Sequence, residues 1–138
     1  MKYIYLAVVF IGLMATSCHS TKSATSSNTE TVTTTKEVKP FRVEKEKVVA
    51  ATGEDASVSN HKYYIIWGSF QHQENAKKLK NELIEKYQAQ ACILVNEAGW
   101  YRVCFENFNK EKKARERITA LRVEYPNFEE MWLLINKK

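Results

Sequence analysis

The sequence predicts an α+β domain in its C-terminal half, with strands and helices in the order βαββαβ. The main observation is an internal repeat, in which the segment from Tyr63 to Ala76 matches the segment from Tyr101 to Ala114 at an offset of 38 residues. The matched positions are apolar or aromatic, and in each copy a β-rich run precedes apolar residues at helical spacing. A duplicated strand–helix unit explains both features, and two copies suit a small closed domain better than a stacked array.

The first copy of the repeat predicts a strand followed by a helix. Residues 63–70 are rich in β-branched and aromatic side chains, and Gly68 and Ser69 close this run. A helix follows over residues 73–87, because its apolar residues recur every three or four positions. The inner face of this helix consists of Ala76, Leu79, Leu83 and Tyr87.

The rest of the domain predicts a hairpin, a second helix and a last strand. A turn at 96–99 separates strands at about 91–95 and 100–105. Pro126 ends the second helix, and residues 131–135 form the last strand. The inner face of the second helix consists of Ala114, Ile118, Leu121 and Tyr125. These elements predict a four-stranded antiparallel sheet with two helices on one face, the ferredoxin-like arrangement shared with RNP domains.

Side chains alternate between the two faces of a strand, so one face of the predicted sheet is open. The residues predicted to face the helices are Tyr63, Ile65, Trp67, Tyr101, Val103 and Phe105. The residues predicted to face away are Tyr64, Ile66, Gly68, Trp100, Arg102 and Cys104. An open surface of aromatic rings and a guanidinium indicates a ligand, because rings stack on sugars or bases and Arg offers a planar fork of donors. The alternative is that the preceding linker or a partner subunit covers this face.

The N-terminus has the pattern of an export signal. Lys2 is followed by an apolar run of 13 residues from Tyr3 to Ala15, which is too short to cross a membrane and typical of a secretory signal. Ala15, Thr16 and Ser17 then precede Cys18, which resembles the lipobox of bacterial lipoproteins. This resemblance implies a signal peptide over residues 1–17 and lipidation of Cys18, which anchors a protein through its acyl chains. An ordinary signal peptide, with Cys18 incidental, is the alternative.

Residues 18–61 are predicted to be a flexible linker. Eleven of the sixteen residues from 20 to 35 are Ser or Thr, a composition that buries too little apolar surface to offset chain entropy. Residues 36–47 are charged and contain Pro40. A weak strand tendency at 41–43 is outweighed by this charge. The predicted organisation is therefore a signal peptide, a disordered tether and a globular domain over residues 62–138.

The globular part resembles a SPOR domain. The resemblance rests on YYIIWGSF, ENAKKLKNEL, GWYRV, LRVEYPNF and MWLLI, and covers residues 63–135. It implies the βαββαβ fold and a non-catalytic domain that binds peptidoglycan, with a preference for septal glycan strands stripped of stem peptides. It also implies that the ligand lies on the open sheet face.

Carried over by position, the resemblance implies five ligand-binding residues. They are Tyr64, Ile66, Ser69, Trp100 and Arg102. Ile66 departs from the family pattern, in which Gln is frequent at this position, so one polar contact to the sugar is expected to be missing. Structural roles remain as alternatives for Ser69, through a local backbone hydrogen bond, and for Arg102, through an ion pair with Glu97.

The sequence offers little for catalysis, metals or nucleic acid. Its only Asp is Asp55, its three His are scattered, and no cluster has the spacing of a metal or cofactor site. The domain therefore lacks the clear carboxylate pair that glycoside hydrolysis needs. A basic βαββαβ sheet with exposed aromatics also describes an RNA-binding module. The predicted export argues against RNA binding, because an exported protein would not meet RNA. The sequence also lacks the Lys/Arg-Gly-aromatic signature of that RNA-binding module.

Two cysteines remain in the globular part, Cys92 and Cys104, one on each strand of the predicted hairpin. A change of one residue in turn length decides whether they face each other or opposite sides of the sheet. Export permits a disulfide between them. Buried free thiols are the alternative.

The function predicted from these observations is binding to peptidoglycan glycan strands without catalysis. The expected setting is the bacterial outer membrane, with a lipid-anchored protein that faces the periplasm and acts in cell division or envelope maintenance. Division or envelope proteins are candidate further partners. The competing hypothesis is a protein-interaction module that uses the same open sheet face.

Overall fold

The α+β fold is confirmed by the computed structural model, which describes residues 39–138. The predicted signal peptide, Cys18 and the linker as far as residue 38 lie outside the described residues. Within residues 39–138, neither helix is both long and apolar enough to span a bilayer.

The predicted order βαββαβ is present, with two further strands before it. The strands are β1 (Val43–Glu46), β2 (Val48–Ala50), β3 (Tyr63–Phe70), β4 (Cys92–Asn96), β5 (Tyr101–Phe108) and β6 (Trp132–Asn136). The helices are α1 (Gln73–Tyr87) and α2 (Glu111–Glu124), with short 3-10 helices at Ala56–Asn60 and Pro126–Phe128. The four strands β3 to β6 and both helices correspond to the predicted elements.

The six strands form one mixed sheet in the order β1-β6-β3-β5-β4-β2. Strand β3 lies at the centre and pairs antiparallel with both β5 and β6. The parallel pair is β1 with β6, where Glu46 lies beside Asn136. The sheet is thus wider than the predicted four strands, because residues assigned to the linker belong to it.

The N-terminal arm, residues 43–50, joins the two outer edges of the sheet. Strands β1 and β2 lie at opposite edges, yet only Lys47 separates them. The edges must therefore approach each other on the face opposite the helices, so the sheet closes into a roll. The side chain of Asn136 fixes this closure, since it accepts from the Val48 N–H at 3.1 Å and lies 3.3 Å from the Val48 carbonyl oxygen.

The arm corrects the prediction that all of residues 18–61 are a solvated linker. Its four consecutive charged residues, 44–47, are flanked by valines, and the sheet buries Val48 to 3% exposure. Closure by the arm creates an enclosed cluster on the side of the sheet away from the helices. The buried members of this enclosed cluster are Val48, Tyr64, Ile66, Cys92, Leu94, Cys104, Trp132 and Leu134. Val58, from the first 3-10 helix, packs against them.

The helix-facing core is as predicted. Ile65, Val103 and Phe105 are buried in it beside helix residues such as Leu83 and Ile118. Trp67 and Tyr101 pack against this core, and Tyr63 packs with Ala114 of α2 and Leu133.

Gly68 lies on the helix side of the sheet, so the prediction that it faces away is wrong. The pairing of β3 with β5 shifts between Ile66 and Gly68, which places Gly68 opposite Val103. Such a bulge adds a residue to one strand and reverses the alternation beyond it. A Cβ atom on Gly68 would lie 2.6 Å from Cδ2 of Leu79, so the glycine lets α1 approach the sheet closely.

Tyr64→Phe is expected to lower the free energy of unfolding by about 1 kcal/mol at neutral pH, because it removes the buried hydroxyl that donates to two carbonyl acceptors. These are the Val58 and His61 carbonyls, both at 2.9 Å. Burial raises the pKa of Tyr64 to about 12. The unfolded chain therefore ionises first above pH about 10, and the wild type loses stability as the pH rises toward 12. Urea unfolding between neutral pH and pH about 12 should show a smaller alkaline loss in the variant. Parallel pH profiles would contradict this assignment.

Candidate functional site

The five predicted ligand-binding residues lie on one side of the sheet, but that side is not open. Tyr64 and Ile66 are 0% exposed, because the N-terminal arm and the first 3-10 helix close over them. The prediction of an open sheet face is therefore wrong for these two residues. The alternative that the preceding chain segment covers this face agrees with the structure.

Trp100 remains at the rim of the enclosed face and is 36% exposed. Asn96 fixes its backbone, since the Asn96 side-chain oxygen accepts from the N–H groups of Ala98 at 3.1 Å and Trp100 at 2.9 Å. Gly99 completes the turn with a φ of 81°, which favours glycine. The turn thus presents the indole of Trp100 to solvent in a defined position.

Arg102 forms a two-point ion pair with Glu46 of the N-terminal arm. Its Nε lies 3.0 Å from Oε2, and its Nη2 lies 2.6 Å from Oε1. The two side chains are only 12% and 17% exposed. The alternative pairing of Arg102 with Glu97 is wrong, because the Glu97 carboxylate instead contacts Lys47 at 3.2 Å.

Guanidinium groups and indole rings alternate in a row that starts at the rim with Trp100 and continues to Trp132, which is only 3% exposed. Arg102 lies 5.7 Å from the Trp100 ring and 5.4 Å from the Trp132 ring. Arg42 is at the far end of this row, where its guanidinium carbon lies 4.4 Å from the centroid of the Trp132 ring. These distances are within the range of cation–π attraction, so the rings help to hold both guanidinium groups in place.

Sequence reasoning missed three residues of this arrangement. Glu46 and Arg42 lie in the charged segment assigned to the linker, and Trp132 was treated only as part of the last strand. The alternation of side chains along β6 places Trp132 on the same face as Leu134, so the sequence alone could have assigned Trp132 to this face. Nothing local identified Glu46 as the partner of Arg102, 56 residues away.

Ser69 lies beside Arg102 across the β3–β5 pair. Its hydroxyl oxygen is buried and has no hydrogen-bond partner among the described residues. The alternative role in a local backbone hydrogen bond is therefore not what the structure shows. Contact of Ser69 with a ligand stays a prediction.

Cys92 and Cys104 are direct cross-strand partners in the enclosed cluster. Of the two registers that the sequence allowed for this hairpin, the structure has the one in which both cysteine side chains lie on the same face. Both are buried free thiols in this structure, and burial raises the pKa of the Cys104 thiol well above its ordinary value. A disulfide between them stays a prediction.

A cleft of about 280 Å³ lies beside the ion pair. It is lined by Lys45, Glu46, Lys47, Asn96, Glu97, Ala98 and Lys137. A larger groove of about 1020 Å³ contains Lys62, Glu111 and Arg115 and none of the predicted site residues. Within residues 39–138, no group of three or more His, Cys, Asp or Glu is placed to hold a metal ion.

A comparison with protein-family models gives one decisive finding. The model described as the SPOR domain matches residues 59–128, about half of the chain. The chain belongs to the SPOR family. Membership of this family implies peptidoglycan binding, a non-catalytic role. Neither the comparison with curated proteins nor the comparison with solved structures gave a match.

The SPOR match has a boundary that bears on the site. It includes Trp100, Arg102 and the rest of the five predicted binding residues. The N-terminal arm lies before the matched segment and β6 lies after it. The SPOR domain of this chain is therefore completed by strands from outside the segment that identifies the family.

Proposed function

We propose that this SPOR domain binds peptidoglycan glycan strands freed of their stem peptides, and that it does so without catalysis. The observation that carries the proposal is the exposed Trp100 at the rim of the family's ligand face, next to Arg102. An exposed indole held by a rigid turn gives a flat apolar surface at little entropic cost. Such rigid aromatic residues dominate the binding energy of many recognition surfaces.

Closure by the arm changes which residues would meet a glycan. Tyr64 and Ile66 lie under the arm, where they support the sheet. Trp100 and the edge of Arg102 are the predicted binding residues left at the rim. Glycan binding in this chain therefore depends on the rim residues, because the arm covers the other part of the predicted binding face.

The proposed setting is the cell envelope. The lipobox-like sequence before Cys18 supports a lipid anchor in the outer membrane, with the SPOR domain in the periplasm. The Ser/Thr-rich residues after Cys18 would set the distance that the domain can move away from its anchor. In this position the protein would bring envelope or division proteins to sites where stem peptides have been removed.

Trp100→Ala is expected to reduce binding to amidase-treated sacculi at least tenfold, because loss of an aromatic anchor typically costs about 2 kcal/mol or more. The measurement is co-sedimentation of the chain with sacculi over a range of sacculus concentrations. Val123→Ala, at an exposed apolar residue on α2, is the matched control and should bind as the wild type does.

Two results would contradict the proposal in different ways. If the wild type does not sediment with treated or untreated sacculi, glycan binding is wrong, and a protein partner becomes the better hypothesis. If Trp100→Ala sediments like the wild type, the glycan site lies elsewhere on the domain. Thermal unfolding of each variant shows whether a loss of binding reflects a loss of fold.

A further inference from the structure

The Glu46 carboxylate accepts hydrogen bonds from Arg102 in the geometry that a bound ligand carboxylate would adopt. The two parallel contacts, at 2.6 and 3.0 Å, have the fork geometry in which Arg recognises carboxylates. The Nδ2 of Asn96 lies 3.4 Å from Oε2 of the same carboxylate. Three N–H groups of the domain therefore converge on one carboxylate position at the rim.

This position is built by residues other than Glu46. The guanidinium of Arg102 is within cation–π distance of both Trp100 and Trp132, and the turn at 96–99 fixes Asn96. The carboxylate itself is supplied by the N-terminal arm, which lies outside the segment that matches the SPOR family. The acceptor thus comes from one part of the chain and the donors come from another.

Space for a ligand lies next to the carboxylate. The cleft of about 280 Å³ has Glu46 and Asn96 in its wall, and this volume is near the lower end for small-molecule sites, about 300 Å³. Lys45 and Lys137 add positive charge to the same wall, whereas the charges of Lys47 and Glu97 there are paired with each other. A sugar that carries a carboxylate would fit both the volume and the charge.

Muramic acid carries such a group once its stem peptide has been removed. In intact peptidoglycan the lactyl carboxyl group is bound as an amide to the stem peptide. Hydrolysis of that amide consumes one water molecule, releases the peptide as an amine and leaves a free carboxylate on the sugar. The carboxylate can make the charge-assisted two-point contact with Arg, whereas the neutral amide lacks the second acceptor and the charge.

We propose that Glu46 is an intramolecular stand-in for this ligand, and that the lactyl carboxylate of stem-peptide-free muramic acid displaces it from Arg102. The inference rests on the proposed function and assigns Arg102 as the residue that distinguishes free from peptide-bearing glycan. Asn136 holds the backbone of the arm at Val48, so the Glu46 side chain can rotate away from Arg102 while the arm stays paired. Because glycan must compete with Glu46, a ligand without the carboxylate cannot release Arg102.

The test compares two glutamates of β1 in the full chain. Glu46→Gln removes the competing charge, so binding to amidase-treated sacculi should tighten about tenfold. Glu44→Gln makes the same change in residue type and net charge on the same strand, but Glu44 contacts Arg42 at 3.1 Å rather than Arg102. This control should bind as the wild type does, and neither variant should gain binding to untreated sacculi.

A second measurement needs no variant. N-acetylmuramic acid is expected to shift the indole N–H resonances of Trp100 and Trp132 in the wild-type chain. N-acetylglucosamine, which lacks the lactyl carboxylate, should leave the Trp132 resonance unchanged at the same concentration. This comparison remains decisive if Glu46→Gln fails to fold.

The outcomes separate this inference from the proposed function. Wild-type sedimentation with treated sacculi, together with unchanged or weaker binding by Glu46→Gln, would overturn the stand-in role and leave glycan binding in place. Equal responses of Trp132 to the two sugars would overturn it as well. Failure of all chains to sediment, with no response to either sugar, would instead show that the proposed function is wrong.

Discussion

A chain that begins at residue 62 is expected to lose most of the stability of the intact domain. Such a fragment lacks the N-terminal arm, so it would expose the enclosed cluster, including Tyr64, Ile66, Trp132 and Leu134, all at most 3% exposed in the structure. Burial of each large apolar side chain contributes about 1.5–3 kcal/mol. Exposing several of them would remove a large part of a total stability of about 5–15 kcal/mol.

Urea unfolding followed by tryptophan fluorescence measures this effect. The control is residues 39–138, which include the arm and are the residues that the structure describes. We expect this control to unfold cooperatively, and the 62–138 fragment to bind a dye for exposed apolar surface. Equal unfolding midpoints for the two fragments would show that the arm does not stabilise the fold.

Trp67→Ala is expected to lower the free energy of unfolding by about 3 kcal/mol, the lower end of the typical cost of deleting a large aromatic side chain from a core, because Trp67 is partly buried against the core. Trp67 lies at the centre of an aromatic cluster between the sheet and the ends of both helices. Its ring centroid lies 4.0 Å from that of Phe128, 5.1 Å from that of Phe105 and 5.5 Å from that of Tyr87. The substitution would leave a cavity that these rings cannot fill without leaving their own contacts.

Trp100→Ala is the matched control for that measurement. It makes the same change at a partly exposed rim position, so its effect on unfolding is expected to stay below about 1 kcal/mol. The two substitutions should therefore have different effects: Trp67→Ala should lower stability, and Trp100→Ala should weaken binding. A similar loss of stability in both variants would contradict the roles assigned to them.

The repeat predicted four strands and two helices because those elements are specified locally. In α2, for example, Ala114, Ile118 and Leu121 lie on one helical face and are all buried. Turns are also specified locally, as at Gly99 with its positive φ and at Pro126 beyond the end of α2. Such signals lie within a few residues of the structure that they determine.

The closed face could not be predicted from such signals. The arm pairs with residues far along the chain, as in Glu46 beside Asn136 and Val48 beside Asn96. Four of its eight residues are charged, in one run, so composition favours a solvated segment. Only the position of Arg102 in the folded sheet shows that Glu46 has a buried partner. The bulge beyond Ile66 likewise depends on pairing with β5, and it reversed the predicted direction of Gly68.

The arm also limits how other chains can join this sheet. An exposed sheet edge is a template on which an extended peptide or a second copy can add a strand. Here the outermost strands are only four and three residues long, and they belong to one continuous segment of chain. Strand addition therefore has little backbone to pair with, so a protein partner has to recognise side chains on the surface of the domain.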